Sequence, residues 1–185
     1  QIMMGQILKD GFEMTSDPDE SDVMVVNTCA FITKAVNESI DRILSLSRLK
    51  KGNSLKKLIV AGCLSERYRK QLMEEITEID AVIGTSDYTA ISQCISDCFS
   101  NEEKVYRLGK RPLYSDRNLR TDHVLAESRN FAYLKISEGC SNMCSFCNIP
   151  KLRGPFRSRP VPEIEQELLK ILGFGIKEIN LISQD

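Results

Sequence analysis

The segment Leu58-Ile59-Val60-Ala61-Gly62-Cys63 is a short apolar run that ends at once in glycine and cysteine. A continuous run of this kind, without alternating polar residues, is typical of a strand buried on both faces of a parallel sheet. Similar runs lie on either side of it in the sequence, at Val23–Val26 and Ala81–Ile83. The pattern predicts three buried strands in the first half of the chain.

Helical patterns separate these runs. Apolar residues recur at helical spacing over residues 34–49, 68–76 and 87–99. Residues 2–10 have the same spacing and are predicted to be the tail of an earlier helix. This alternation of strands and helices predicts a doubly wound α/β domain with right-handed crossovers over residues 1–100.

The composition is that of a folded protein with one or two cores: 185 residues, 42% hydrophobic and 28% charged. The formal net charge of -1 argues against binding nucleic acid through bulk charge. With no long apolar run and no signal-like amino terminus, we expect a cytoplasmic protein without a membrane partner. The seven cysteines are then predicted to be ligands or buried thiols.

Three of these cysteines share one loop. Residues 138–150 read Glu-Gly-Cys-Ser-Asn-Met-Cys-Ser-Phe-Cys-Asn-Ile-Pro, which places Cys140, Cys144 and Cys147 in a C-x3-C-x2-C array. Three thiolates can hold three irons of a four-iron four-sulfur (4Fe-4S) cluster and leave the fourth open to a small molecule. A zinc site would need a fourth ligand, and the only histidine, His123, is well upstream. The ferredoxin spacing is also absent.

The region around this loop predicts a second domain over residues 131–185. A strand over 131–137 precedes the loop, a helix with Ile164, Leu168 and Leu172 as its buried stripe follows it, and a second strand covers 178–183. This is one β-α-β unit of a parallel barrel, with the cysteine loop at the carboxyl end of its first strand. Residues 101–130 are predicted to be a linker.

Three further features leave alternatives open. Cys29 and Cys63 each follow a predicted strand, so they are either ligands of a second metal site or isolated buried thiols. Cys94 and Cys98 lie on the apolar stripe of a helix and are predicted to be core residues. The basic run 151–160 either faces an anion or is a solvated loop.

The array resembles that of the radical S-adenosylmethionine (SAM) superfamily, in which SAM binds the open iron and is cleaved to a 5'-deoxyadenosyl radical. Other motifs extend the resemblance to one family, the methylthiotransferases, over nearly the whole chain. These are Asn27–Ile32, Gly62–Leu64, Gly84–Tyr88, Ile149–Pro150, Arg153–Gly154, Ser158–Pro160 and Ile182–Asp185. The resemblance implies an amino-terminal domain with an auxiliary cluster, then a radical-SAM partial TIM barrel, then a small substrate-binding domain.

The resemblance also implies the cofactors and the substrate. Two 4Fe-4S clusters are expected, one on Cys140, Cys144 and Cys147, and an auxiliary one on Cys29, Cys63 and a cysteine upstream of Gln1. SAM is the second cofactor, and Glu178 is a candidate ligand of its amino group. The expected reaction is methylthiolation of an aspartate β-carbon on protein twelve of the small ribosomal subunit, with flavodoxin or ferredoxin as electron donor and no nucleic-acid substrate.

Two alternatives differ from this interpretation. One is a related methylthiotransferase that modifies a transfer RNA (tRNA) adenosine, and the other is a non-catalytic iron-sulfur protein. The chain is also expected to be a fragment that lacks both ends of the enzyme and is inactive alone, because it lacks the first auxiliary cysteine and most of the barrel.

Overall fold

A computed structural model describes residues 2–52, 55–101, 103–109 and 130–185. The chain divides into two compact units, Gln6–Lys110 and Arg111–Asp185, the latter together with Gln1–Gly5. Most of the predicted linker, residues 110–129 with His123, lies outside the described residues. Within the described ranges, no helix combines the length and the apolar character needed to cross a membrane.

The first part of the chain contains a four-stranded parallel sheet with the strand order β1-β2-β3-β4. Its elements are α1 (Ile2–Lys9), β1 (Val23–Thr28), α2 (Thr33–Lys51), β2 (Lys57–Gly62), α3 (Cys63–Glu75), β3 (Ala81–Ile83), α4 (Ile91–Ser100) and β4 (Val105–Arg107). The three predicted strands and the helices between them are confirmed. Strand β4 falls within the predicted linker and corrects that prediction, because three partly exposed residues give no apolar run to recognise.

One face of the sheet is covered by α2 and α3. Val60 and Val82 lie side by side on this face. They share a core with Ile43 of α2 and with Leu64 and Met73 of α3. Burial of such side chains contributes about 1.5–3 kcal/mol each, so this layer anchors β1 and β2 firmly.

The other face is covered by α4. Arg107 points to this face because side chains alternate along a strand, and it forms an ion pair with Asp97 of α4. The ammonium group of Lys57 lies 5.7 Å from the ring centre of Phe99, also on α4. Helices on both faces confirm the doubly wound α/β class. Helices α3 and α4 each connect one strand to the next strand in the sheet, but they lie on opposite faces. Their two crossovers therefore have opposite hands, and the expectation that all crossovers are right-handed was wrong.

The second unit contains β5 (Phe131–Lys135), β6 (Ser137–Glu138), α5 (Ile149–Arg153), β7 (Arg157–Ser158), α6 (Val161–Gly173) and β8 (Glu178–Ile182). Strands β5 and β8 pair in parallel with α6 between them in sequence, which confirms the β-α-β unit. The core contains Ile171, whereas Leu172, predicted to be buried, is 46% exposed. Helical spacing from Ile164 and Leu168 reaches Ile171 as well as Leu172, so the pattern alone could not decide between them.

Asp80 joins three elements of the first unit. Its carboxylate accepts hydrogen bonds from the backbone N–H of Leu58 at 2.7 Å and from the Lys50 ammonium at 2.5 Å. Its own N–H donates to the Leu58 carbonyl, and its carbonyl accepts from the N–H of Val105. The side chain thereby satisfies a buried backbone donor at the start of β2.

We predict that Asp80→Ala destabilises the first unit by about 1–3 kcal/mol, because it leaves the buried Leu58 N–H without its acceptor. Urea unfolding, with hydrogen exchange of the Leu58 amide as a local probe, measures the effect. Asp22→Ala is the matched control, since the Asp22–Lys56 ion pair is about two thirds exposed and such pairs contribute little. Equal stability of the two variants would contradict this role for Asp80.

Candidate metal centres

The cysteine loop lies between β6 and α5. Cys140 is buried, Cys147 is half-buried and Cys144 is exposed. The N–H of Cys147 donates to the Cys144 carbonyl at 3.1 Å, which forms a tight turn between these two residues. The loop thus presents one thiol at the surface and anchors another in the protein.

Gly139 fixes the entry of the chain into this loop. Its φ is +77°, and a Cβ at this position would lie 2.3 Å from the backbone carbonyl oxygen of Pro155. The N–H of Gly139 donates to the side-chain carbonyl of Gln184 at 2.9 Å, and the N–H of Cys140 donates to the Gly154 carbonyl. Only glycine fits this position without strain, because the left-handed conformation and the close backbone contact coincide.

Glu138, immediately before this glycine, forms a buried ion-pair cluster. One carboxylate oxygen lies 2.6 Å from the Lys135 ammonium and the other lies 2.9 Å from the Arg153 guanidinium. Burial alone would raise the pKa of Glu138, but the two neighbouring cations outweigh burial and hold the pKa below its usual value. Glu138 therefore stays ionised at neutral pH and ties β5 and α5 to the loop.

The arginines of the basic run bind the protein's own groups. Arg153 pairs with Glu138, and Arg157 donates to the carbonyls of Pro155 and Arg153. Arg159 is buried and donates to the Lys135 carbonyl, and it lies 2.5 Å from the Glu167 carboxylate. The sequence left two alternatives for this run, a surface that faces an anion and a solvated loop. Neither describes these arginines, because their main contacts are with groups of the protein itself.

Asn142 contacts the buried thiol directly. Its side-chain amide donates to the Sγ of Cys140 at 3.4 Å and to the carboxylate of Asp185 at 2.9 Å. Asp185 and Gln184 both follow the carboxyl end of β8. The contacts of Glu138, Asn142, Gln184 and Asp185 were missed from the sequence, although Glu138 stands beside Gly-Cys and Gln184 and Asp185 belong to the motif Ile182–Asp185.

The donors on this loop have the chemistry that an iron-sulfur cluster needs. All three cysteines are free thiols, and thiolate is the preferred ligand of such clusters. Within residues 2–52, 55–101, 103–109 and 130–185, the structure does not gather three or more His, Cys, Asp or Glu side chains closely enough to hold a metal ion. The fit therefore rests on donor type and loop spacing, and the ligand roles stay predictions.

Glu178, the predicted contact of the SAM amino group, lies elsewhere. It is exposed at the amino end of β8, opposite Phe131 in the register, and accepts a hydrogen bond from the Asn180 amide. The cysteine loop lies beyond the carboxyl end of β5, so a whole strand separates it from Glu178. The structure does not bring Glu178 to the loop, and its role as a contact of the SAM amino group stays a prediction.

The second candidate site is at the carboxyl edge of the first sheet. Cys29 directly follows β1 and Cys63 directly follows β2, and the last pair in the register of these strands is Thr28 with Gly62. The two cysteines therefore extend from neighbouring strand ends, as the sequence predicted. Cys29 is exposed, whereas Cys63 is half-buried and packs against the core beneath α2 and α3.

The backbone around Cys29 is held from two sides. The hydroxyl of Ser39 accepts from the Cys29 N–H and donates to the Cys29 carbonyl, both at 3.2 Å. The guanidinium of Arg67, on the helix that follows Cys63, donates to the Ala30 carbonyl at 3.0 Å. These bonds link the loop after β1 to α2 and α3.

Cys94 and Cys98 are confirmed as core residues of α4. They are 0% and 2% exposed. The Cys94 thiol donates a hydrogen bond to Cys98, and this bond and burial both raise the pKa of Cys94. It therefore stays protonated, which suits packing and not metal binding.

We predict that Gly139→Ala displaces the cysteine loop, because the new Cβ would collide with the Pro155 carbonyl. The buried Cys140 should then react with iodoacetamide at least several-fold faster, as followed by peptide mass spectrometry. Gly175→Ala is the matched control, since Gly175 has a similar φ of +79° but nothing within 4 Å of its Cβ position. If iodoacetamide alkylates Cys140 at the wild-type rate in both variants, the loop does not depend on the close contact between Gly139 and the Pro155 carbonyl.

Comparison with known proteins finds similar sequences. Residues 1–84 match a family described as "Uncharacterized protein family UPF0004". The chain is 47% identical to a protein of Solibacter usitatus, 43% to one of Geobacter sulfurreducens and 42% to one of Pelobacter propionicus, each named ribosomal protein uS12 methylthiotransferase RimO. Each match covers 100% of this chain but only 38% or 41% of the relative, so the chain spans about two fifths of their length. By sequence, the chain is RimO-like over all its residues and similar to proteins named methylthiotransferases.

Proposed function

We propose that the protein carrying this chain is a radical-SAM methylthiotransferase that adds a methylthio group to the β-carbon of an aspartate on ribosomal protein uS12. The observation that carries the proposal is the braced loop of Cys140, Cys144 and Cys147 beyond a β-α-β strand, in a chain 42–47% identical to proteins named for that activity. Active sites of barrel enzymes lie at this end of the strands.

Each proposed cluster is assigned to the cysteines that could serve as its ligands. Cys140, Cys144 and Cys147 would hold one 4Fe-4S cluster, and Cys29 and Cys63 would hold the auxiliary cluster with a further cysteine outside this chain. When bound, these clusters and SAM supply the radical chemistry and the sulfur transfer. A flavodoxin or ferredoxin would donate electrons, and the reaction would take place in the cytoplasm without a nucleic-acid substrate.

The contribution of the chain itself is to hold the donors in place. The contacts of Gly139 and Glu138 fix the start of the loop, so the thiol of Cys140 stays buried while Cys144 remains accessible. The Asn142 amide donates to the Cys140 sulfur, and hydrogen bonds of this kind stabilise the negative charge of a ligating thiolate. Such preorganisation reduces the cost of assembling a site.

The two other functions are less well supported. A tRNA substrate calls for a basic surface, yet the formal net charge is -1. Arg153, Arg157 and Arg159, in the basic run, also contact internal acceptors. A non-catalytic iron-sulfur protein would have no need for a loop with three cysteines and an open fourth position.

The test is the intact mass of uS12 from ribosomes of cells with the full-length gene, without it, and with Cys144→Ala. We predict that wild-type uS12 carries one methylthio group in place of a hydrogen, and that it loses this group in the deletion strain and with Cys144→Ala. Cys98→Ala is the matched control and should retain the modification, because Cys98 is buried in α4.

Two other results are possible, and each would support a different function. An unmodified uS12 mass in all strains, with loss of a methylthio-adenosine from tRNA on deletion, would support the tRNA enzyme and contradict our assignment. No change in either substrate would support the non-catalytic protein.

A further inference from the structure

The hydroxyl of Thr28 connects the two strand ends that carry Cys29 and Cys63. It donates to the Ala61 carbonyl at 2.7 Å and accepts from the Leu64 N–H at 3.3 Å. Thr28 is the residue before Cys29, and its two partners are the second residue before Cys63 and the first residue after it. One side chain therefore links the immediate surroundings of both cysteines.

The surroundings allow this hydroxyl little movement. Thr28 is 6% exposed. Its register partner Gly62 has a φ of +102°, and a Cβ there would lie 2.6 Å from the Thr28 carbonyl oxygen. The two strand ends are thus in close backbone contact, and a shift of one would move the other.

The hydrogen bonds also meet a local chemical need. Leu64 is in the first turn of α3, where backbone N–H groups have no acceptor within the helix. Gly62 precedes this helix and offers no side-chain cap. The Thr28 hydroxyl, from a neighbouring strand, takes the part that an N-cap side chain usually plays. It does so for the helix that begins at Cys63.

We propose that Thr28 is a positioning residue that sets the spacing of Cys29 and Cys63, and so preorganises two thiols of the auxiliary metal site. This inference rests on the proposed function only for the identity of the ligand, an iron-sulfur cluster. The spacing itself is a property of the metal-free protein and can be measured there.

The test compares Thr28→Val and Thr28→Ser in the full-length protein, metal-free and reduced. Valine keeps the size and branching of threonine but lacks the hydroxyl, whereas serine keeps the hydroxyl. Dibromobimane, which bridges two nearby thiols, is the probe, and peptide mass spectrometry measures the rate at which Cys29 and Cys63 become bridged. Ser47→Ala is the matched control, because the buried hydroxyl of Ser47 donates only to the Leu44 carbonyl within α2.

We expect Thr28→Val to slow this bridging about five-fold, the factor that corresponds to the loss of roughly 1 kcal/mol of hydrogen bonding. Thr28→Ser and Ser47→Ala should bridge at nearly the wild-type rate. In the cluster-loaded protein, Thr28→Val should also lose iron from the auxiliary site to a chelator several-fold faster than Thr28→Ser.

Bridging by Thr28→Val at the wild-type rate would overturn the inference. If the valine variant does not fold, Thr28→Ala, which introduces no new bulk, replaces it with the same expected slowing, and a wild-type rate there would overturn the inference equally. Failure of the proposed function gives a different result: the wild-type protein would hold no iron on Cys29 and Cys63, while the rates in the metal-free protein would still decide the role of Thr28.

Discussion

The in-register parallel pairing of β1 with β2 is the constraint on which the candidate auxiliary site depends. Six consecutive pairs, from Val23 with Lys57 to Thr28 with Gly62, end both strands at the same edge. A slip of one residue would turn every side chain of one strand to the opposite face of the sheet. The buried core between this sheet and α2 and α3, against which Cys63 itself packs, makes such a slip costly, so the positions of Cys29 and Cys63 follow from this packing.

In the second unit, charged side chains hold the cysteine loop in place, whereas in the first unit strand register positions the cysteines. Its cysteine loop is exposed over most of its length, so little apolar burial is available to hold it. A buried carboxylate, Glu138, placed between Lys135 and Arg153 does so instead. Removing either cation would take one of the two partners from the buried Glu138 carboxylate, which makes the arrangement specific even where its net stabilisation is modest. The basic run next to the loop supplies part of this internal framework.

The sequence predicted the buried strands well, because a short continuous apolar run bounded by turn residues is characteristic of a strand in the interior of a sheet. It also predicted that Cys29 and Cys63 follow neighbouring strands, since strand ends are directly readable, whereas the ligand roles of both groups of cysteines stay predictions. It failed for β4, where three partly exposed residues carry no pattern, and for Leu172, where two neighbouring residues fit the same stripe. The opposite hands of the α3 and α4 crossovers could not be predicted, because the general rule is that such crossovers are right-handed.

The residues that brace the sites were the least predictable part. Thr28, Ser39 and Asn142 are ordinary polar residues in the sequence, and their roles depend on contacts with distant segments such as Ala61 and Asp185. Glu178 was named from its place in the sequence, and the strand register puts it at the amino end of β8, so its role as a ligand stays a prediction. Local sequence identifies groups with reactive chemistry, whereas long-range packing decides which of them meet.

We propose that this chain supplies thiols to two separate iron-sulfur sites. Iron and sulfide content of the anaerobically isolated full-length protein tests it most directly. We predict about eight irons per wild-type chain and about four after replacing either Cys140, Cys144 and Cys147 or Cys29 and Cys63 by alanine, as expected for two four-iron clusters. Iron content that is unchanged by both sets of replacements would show that these cysteines do not bind the clusters.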